Sequence, residues 1–289
     1  MPTAINNTSL ALPLGAVLAR QWPGFLLGTT ALGLAYAQVL GSMVGDWYND
    51  DNASHGFLVP CIAGYLIWMQ KTRLAATPVA PANAGLAVAL VATAMLLVGG
   101  MASERYTMRL SFLVALAGSV LFWLGVEALR RLQAPLLYLV FMIPLPAVLL
   151  NAVTMPLKLF VSQTAVSILA LLQVPVVREG NVILLPNLSL EVVEACSGLR
   201  SLESLLALAA AYAIIFLGSA TARTVLILAA IPIAIGANIL RVVITGLLAR
   251  GYGAEAAQGF FHESAGLMVF ALALAMLAGL HLVLRKLIP

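Results

Sequence analysis

Three side chains lying far apart in the sequence have complementary chemistry: Cys196, Arg241 and His262. A thiolate can attack a carbonyl carbon, an imidazole can carry protons, and a guanidinium can hold the oxyanion that forms. Nucleophilic acyl transfer can use that trio where the three groups meet. Cys196 stands in Glu194-Ala195-Cys196-Ser197-Gly198, a polar, glycine-containing junction ahead of an apolar segment. A helix N-terminus there favours the thiolate, while Glu194 pushes the thiol the other way unless it is paired. Arg241 lies inside an apolar segment, and Asn238, one turn earlier, is placed to orient it. His262 follows in Phe261-His262-Glu263.

Each residue also has a plainer reading. A cysteine in an apolar protein is often a small buried hydrophobe. An arginine near a helix end can snorkel to the headgroups, and a histidine at an interface can titrate without a role. Cys61, among apolar neighbours, keeps the plain reading. His55, in Ser54-His55-Gly56, is a rival base. His281 falls at the far end of the last apolar segment, away from the other three residues. No HExxH motif and no cysteine pair with ligand spacing occurs, so no metal site is expected. Ser197 lacks a GxSxG setting, and no phosphate-binding glycine motif appears, so no cofactor is expected.

Composition sets the frame that must position these groups. Of 289 residues, 62% are hydrophobic and 9% charged, with a mean hydropathy of +1.04. A soluble domain is about half apolar and about a quarter charged. The 15 basic residues are scattered, so nucleic acid is not an expected partner, whereas membrane lipid is. A spanning helix needs roughly 20 apolar residues. Such segments lie near 22–45, 56–70, 84–103, 107–127, 132–150, 204–222, 223–246 and 264–284. The expected fold is therefore an all-α integral membrane protein of about eight transmembrane helices, in a single polytopic domain over 1–289. The N-terminus lacks the pattern of a cleavable signal peptide.

With the N-terminus cytoplasmic, the pairs Lys71/Arg73, Arg130/Arg131 and Arg285/Lys286 all fall inside. Every acidic residue except Glu127 falls on the other face. Residues 152–173 are long enough to span, but Asn151, Thr154, Lys158 and Ser162 form a polar stripe. That stripe predicts a helix lying in the interface. Residues 174–195 carry β-branched runs broken at Glu179-Gly180 and Pro186-Asn187, which predicts a small extracytoplasmic β-hairpin. On this topology Cys196, Arg241 and His262 reach one bilayer surface. Asp46, Asp50, Asp51 and Glu104 make that face acidic and read as solvated charge.

At these residues the chain resembles the exosortases, multipass bacterial enzymes that process proteins bearing PEP-CTERM tails. The likeness rests on Trp47-Tyr-Asn-Asp-Asp-Asn-Ala-Ser54-His55-Gly-Phe-Leu-Val-Pro60, Pro156-Leu-Lys158, Val192-Val-Glu194-Ala-Cys196-Ser197-Gly198-Leu-Arg200, Asn238-Ile-Leu-Arg241-Val, and His262 followed by Gly266. The order of these pieces is more specific than any one of them. The resemblance implies a nucleophile at Cys196, a transition-state stabiliser at Arg241 and a general acid/base at His262. Glu194, Ser197, Gly198, Asn238 and His55 would support the site or the substrate. It implies a thiol protease or transpeptidase of the bacterial inner membrane with its site on the periplasmic face. Its partners would be secreted proteins with a C-terminal hydrophobic helix and basic tail. The chain resembles the short core type, without a further C-terminal soluble domain. Composition alone equally suits a non-enzymatic transport or scaffold component of polysaccharide or protein export. An acyltransferase using the same cysteine is a third possibility.

Overall fold

The computed structural model describes residues 13–186, 188–191, 199–253 and 260–287. It divides into two compact units, Met1–Pro144 and Leu145–Pro289.

The first unit runs α1 (Leu14–Ala35), α2 (Ala37–Asn49), a 3-10 turn (Ser54–Phe57), α3 (Leu58–Met69), α4 (Lys71–Ala75), α5 (Ala84–Met101), α6 (Arg105–Trp123), α7 (Val126–Tyr138) and a 3-10 turn (Leu139–Met142). Helices α5 and α6 form a close hairpin. Between helices in hydrocarbon there is little hydrophobic drive, so small residues that let backbones approach do the work. A Cβ on Gly85 would stand 2.3 Å from the Phe122 nitrogen, and one on Gly118 would stand 3.0 Å from the Ala89 nitrogen. Glu104 caps α6, accepting from the backbone N–H groups of Tyr106 at 2.9 Å and Thr107 at 2.6 Å. After α6 the chain reverses at Gly125, which has φ +93° and faces the Ala80 carbonyl so closely that a Cβ would lie 2.0 Å from it. Only glycine meets both conditions.

The second unit runs α8 (Ala147–Leu171), strands β1 (Val177–Glu179), β2 (Val182–Leu185) and β3 (Leu188–Glu191), then α9 (Leu199–Phe216), α10 (Ala220–Tyr252) and α11 (Phe260–Leu287). The strands form an antiparallel meander, in register at Glu179↔Val182 and Leu185↔Leu188. Both turns fall where the sequence places them, although Asn187 lies outside the described residues. A third strand extends the expected hairpin.

Helix α10 is the axis of this unit. Its buried residues Ala222, Leu226, Ala230 and Ala234 recur every four positions. They join Leu205, Ala209, Ala213 and Leu217 of the α9 side with Ala273, Leu277 and Leu284 of α11 in one core. Farther along, Val242 and Val243 enter a second core with Val161, Ala165 and Leu169 of α8, Val174, and Ile183 of β2. Arg250 donates to the carbonyls of Leu172 at 3.3 Å and Gln173 at 3.0 Å, tying α10 to the end of α8.

Among the described residues, five helices are long and apolar enough to cross a membrane: α5, α6, most of α8, α10 and Gly266–Leu287 of α11. A sixth span is formed if α1 and α2, bent by 64°, cross together. Ser54–Met69 and Ser201–Phe216 are shorter apolar helices. The count of eight is therefore not confirmed. Segment 132–150 is not one helix, because it is cut by the turn at Leu139–Met142 and the Pro144-Leu145-Pro146 break. The predicted division at 222/223 falls earlier, between Phe216 and Ala220.

The interfacial reading of 152–173 also loses its basis. Helix α8 has 25 residues, and Thr154 and Ser162 of its polar stripe are buried. The Ser162 hydroxyl donates to the Leu159 and Gly180 carbonyls at 3.0 and 3.2 Å, so the stripe partly serves the protein interior instead of headgroups.

Candidate active site

Helices α9 and α10 are joined by the short turn 217–219 and pack antiparallel, as do α10 and α11. The start of α9, the end of α10 and the start of α11 therefore share one end of the second unit. Position 199, three residues beyond Cys196, belongs to that end. Cys196 itself, with Glu194, Ser197 and Gly198, falls between β3 and α9, outside the described residues.

Arg241 is half-buried on α10. Its guanidinium lies against Gly266 of α11, where a Cβ would stand 3.0 Å from both Cζ and Nη2 and 3.3 Å from Nε. Position 262 lies one helical turn before Gly266 and shares its face of α11. The Arg241 and His262 positions are thus brought within a turn of each other across the α10–α11 contact. Only the backbone of His262 is among the described features. In the antiparallel pairing, the α10 residue level with position 262 is one turn beyond Arg241. That residue is Thr245, which is buried and whose hydroxyl donates to the Arg241 carbonyl at 2.9 Å.

Asn238 continues the four-residue ladder of α10, four positions after Ala234, and is 4% exposed. It stands where the three-helix core gives way to the core shared with α8 and the sheet. A buried side-chain amide in an apolar core requires hydrogen-bond partners, so Asn238 is a polar point in the packing of α10 one turn before Arg241.

His55 belongs to the first unit. Its Nδ1 lies 3.0 Å from the Asn52 carbonyl and its Nε2 lies 3.1 Å from the Phe141 carbonyl. Beside it, the Trp47 indole donates to the Met142 carbonyl at 2.8 Å. Gly56 permits that indole, since a Cβ there would stand 2.3 Å from Nε1. The Ser54-His55-Gly56 segment is thus a strut between the first 3-10 turn and the second. As a base, His55 would have to release one of those carbonyls. Cys61 is exposed on α3, facing outward, with its thiol 3.7 Å from the Phe57 carbonyl. It is therefore not the buried hydrophobe that its neighbours predict. His281 is buried near Tyr212 and Phe216, with ring centroids 5.0 and 6.1 Å away.

The sequence reading missed one polar locus. Arg109, inside α6, is 3% exposed and donates to Asp46 Oδ2 of α2 at 2.5 Å. Arg105 adds a 3.8 Å contact to Oδ1. A cavity of about 520 Å³ beside them is lined in part by Gln38, Ser42, Asp46 and Asn49. Asp46 is therefore structural, not merely solvated. The recurrence of polar residues at 38, 42, 46 and 49 along an otherwise apolar helix was the signal available. Among the described residues, no cluster suited to hold a metal ion occurs.

A family model described as transmembrane exosortase (Exosortase_EpsH) matches residues 47–279. No curated protein and no solved structure matches the chain.

Proposed function

The chain belongs to the transmembrane exosortase family, and from that premise we propose that it is a membrane cysteine peptidase or transpeptidase acting on the C-terminal sorting tails of secreted proteins. The observation that carries the reading is the meeting of Arg241 with the helix that bears His262, in the same three-helix unit as α9, whose first residue follows Cys196 by three positions in the sequence. The family match runs across both compact units, which supports treating 1–289 as one functional domain.

In this reading the substrate's hydrophobic helix and basic tail hold it in the inner membrane, and its motif lies at the periplasmic surface. Tethering in the bilayer raises effective concentration, commonly to mM. The Cys196 thiolate attacks the backbone carbonyl, and the C–S bond forms as the carbonyl π electrons move to oxygen. Arg241 stabilises that oxyanion. His262, holding the thiol proton, passes it to the departing amine as the C–N bond breaks. Water or an acceptor amine then attacks the thioester, His262 removes its proton, and Cys196 is released. Water makes the enzyme a protease and an amine makes it a transpeptidase. No cofactor enters these steps.

The test is co-expression with a tagged secreted protein carrying a PEP-CTERM-type tail. Substrate size is followed by blot, and the new C-terminus by mass spectrometry. Processing is expected to stop in Cys196→Ala and to continue in Cys61→Ala. Normal processing by Cys196→Ala would sink the peptidase reading and move a transport or scaffold role to first place.

A further inference from the structure

We infer that Gly266 is a positioning residue for Arg241: its missing side chain lets the guanidinium lie on the backbone of α11, one turn from His262. This rests on the role proposed above for Arg241. The three atoms nearest to a Cβ built on Gly266 are Arg241 Cζ, Nη2 and Nε, at 3.0, 3.0 and 3.3 Å. Two other glycines show what such a contact is not. A Cβ on Gly246 would press on Leu169 Cδ1 at 2.9 Å, which is ordinary packing between α10 and α8. A Cβ on Gly279, farther along α11, meets nothing within 4 Å. At Gly266 the space is occupied by the functional group itself.

A methyl group at 266 would have the guanidinium as its nearest obstruction. The end of a long side chain yields more cheaply than two packed helices. The guanidinium therefore moves by a few tenths of an ångström or swings to another rotamer, and the bundle stays intact. Oxyanion stabilisation depends on donor placement at about 3 Å, and a misplacement of about 1 Å can cost about 100-fold. The expected signature is a loss in turnover without loss of fold.

The experiment measures processing of the tailed reporter by membranes carrying the full chain, normalised to enzyme level, across substrate concentrations. Gly266→Ala is expected to lower kcat by about 10- to 100-fold with KM nearly unchanged. Gly279→Ala is expected to match the wild type. In an Arg241→Ala background, Gly266→Ala is expected to add nothing, because the group it displaces has gone.

If Arg241→Ala processes like the wild type, the assigned role of Arg241 falls and this inference falls with it. If Arg241→Ala is slow but Gly266→Ala is normal, the inference alone is overturned. The same holds if Gly266→Ala slows the Arg241→Ala enzyme further, since the glycine is then a general packing element. Should Gly266→Ala fail to accumulate, the double variant decides. Recovery of accumulation supports a clash with the guanidinium, and continued failure overturns it.

Discussion

Arg109 and Arg241 both lie within apolar helices of this chain, in different surroundings. Arg109 of α6 is buried under Asp46, with Arg105 on the carboxylate's other oxygen and the Ser42 hydroxyl 3.4 Å from Nη2. Arg241 of α10 is half-buried and rests on the bare backbone of Gly266. The first arrangement answers the cost of a charge inside a membrane helix with a paired opposite charge. The second answers a geometric need, because a glycine contributes room. An arginine that locks two helices together and one that is presented at a helix junction should respond differently to removal.

The largest difference is expected in activity. Arg241→Ala should lower processing about 100- to 1,000-fold, the range for losing a major oxyanion donor, while the detergent-solubilised protein keeps its melting temperature. Arg241→Lys should recover only part of that loss, since a point charge on a flexible stem cannot reproduce a planar fork. A melting temperature that drops with activity would show that Arg241 is another structural lock, and the contrast would fail.

The converse holds in the first unit. Arg109→Gln should destabilise the protein by roughly 1–3 kcal/mol, less than a fully buried pair would lose because Asp46 is 32% exposed. Processing per folded molecule should remain. Adding Asp46→Asn should restore much of the stability, because the stranded carboxylate is then gone. Thermal melts of the three variants check this. A double variant no more stable than Arg109→Gln would mean that the pair is not what holds α2 to α6.

The Arg241 half of this contrast was legible in the sequence, while the Arg109 half was not. The apolar periodicity gave the helices of the α5–α6 hairpin and of α10, and the β-branched runs gave the strands with their turns at Gly180 and Pro186. Type and order in the sequence marked Arg241 and His262 as candidates, and the structure brings Arg241 against Gly266, one turn from position 262. Hydropathy could not show that α1 and α2 bend by 64°, since a bend leaves the apolar run unbroken. Nor could it show that 132–150 is cut by 3-10 and extended backbone. Polar spacing on α8 read as an interfacial stripe because periodicity names a face and not what covers it, and Ser162 turned out to cap the sheet turn at Gly180. The Asp46–Arg109 pair joins residues 63 positions apart, a separation for which no local pattern exists.

The smallest expected effect concerns the cap beside that pair. Glu104 is held below its ordinary value of 4.5, first by its hydrogen bond with the Thr107 side chain, then by the backbone N–H groups of Thr107 and Tyr106 and by the charge of Arg109. A carboxylate favoured by the fold contributes stability above the unfolded pKa, and that contribution is lost as pH falls through the lower folded value. The wild type should therefore lose a modest increment of stability below about pH 4.5 that Glu104→Gln does not lose. At neutral pH the glutamine variant should be less stable by about 0.5–1 kcal/mol, since it retains an acceptor but not the charge at the helix start. The two melting curves should converge on acidification. Parallel curves would mean that the cap contributes through shape alone, leaving the ion pair of Arg109 with Asp46 as the electrostatic fastening of this helix end.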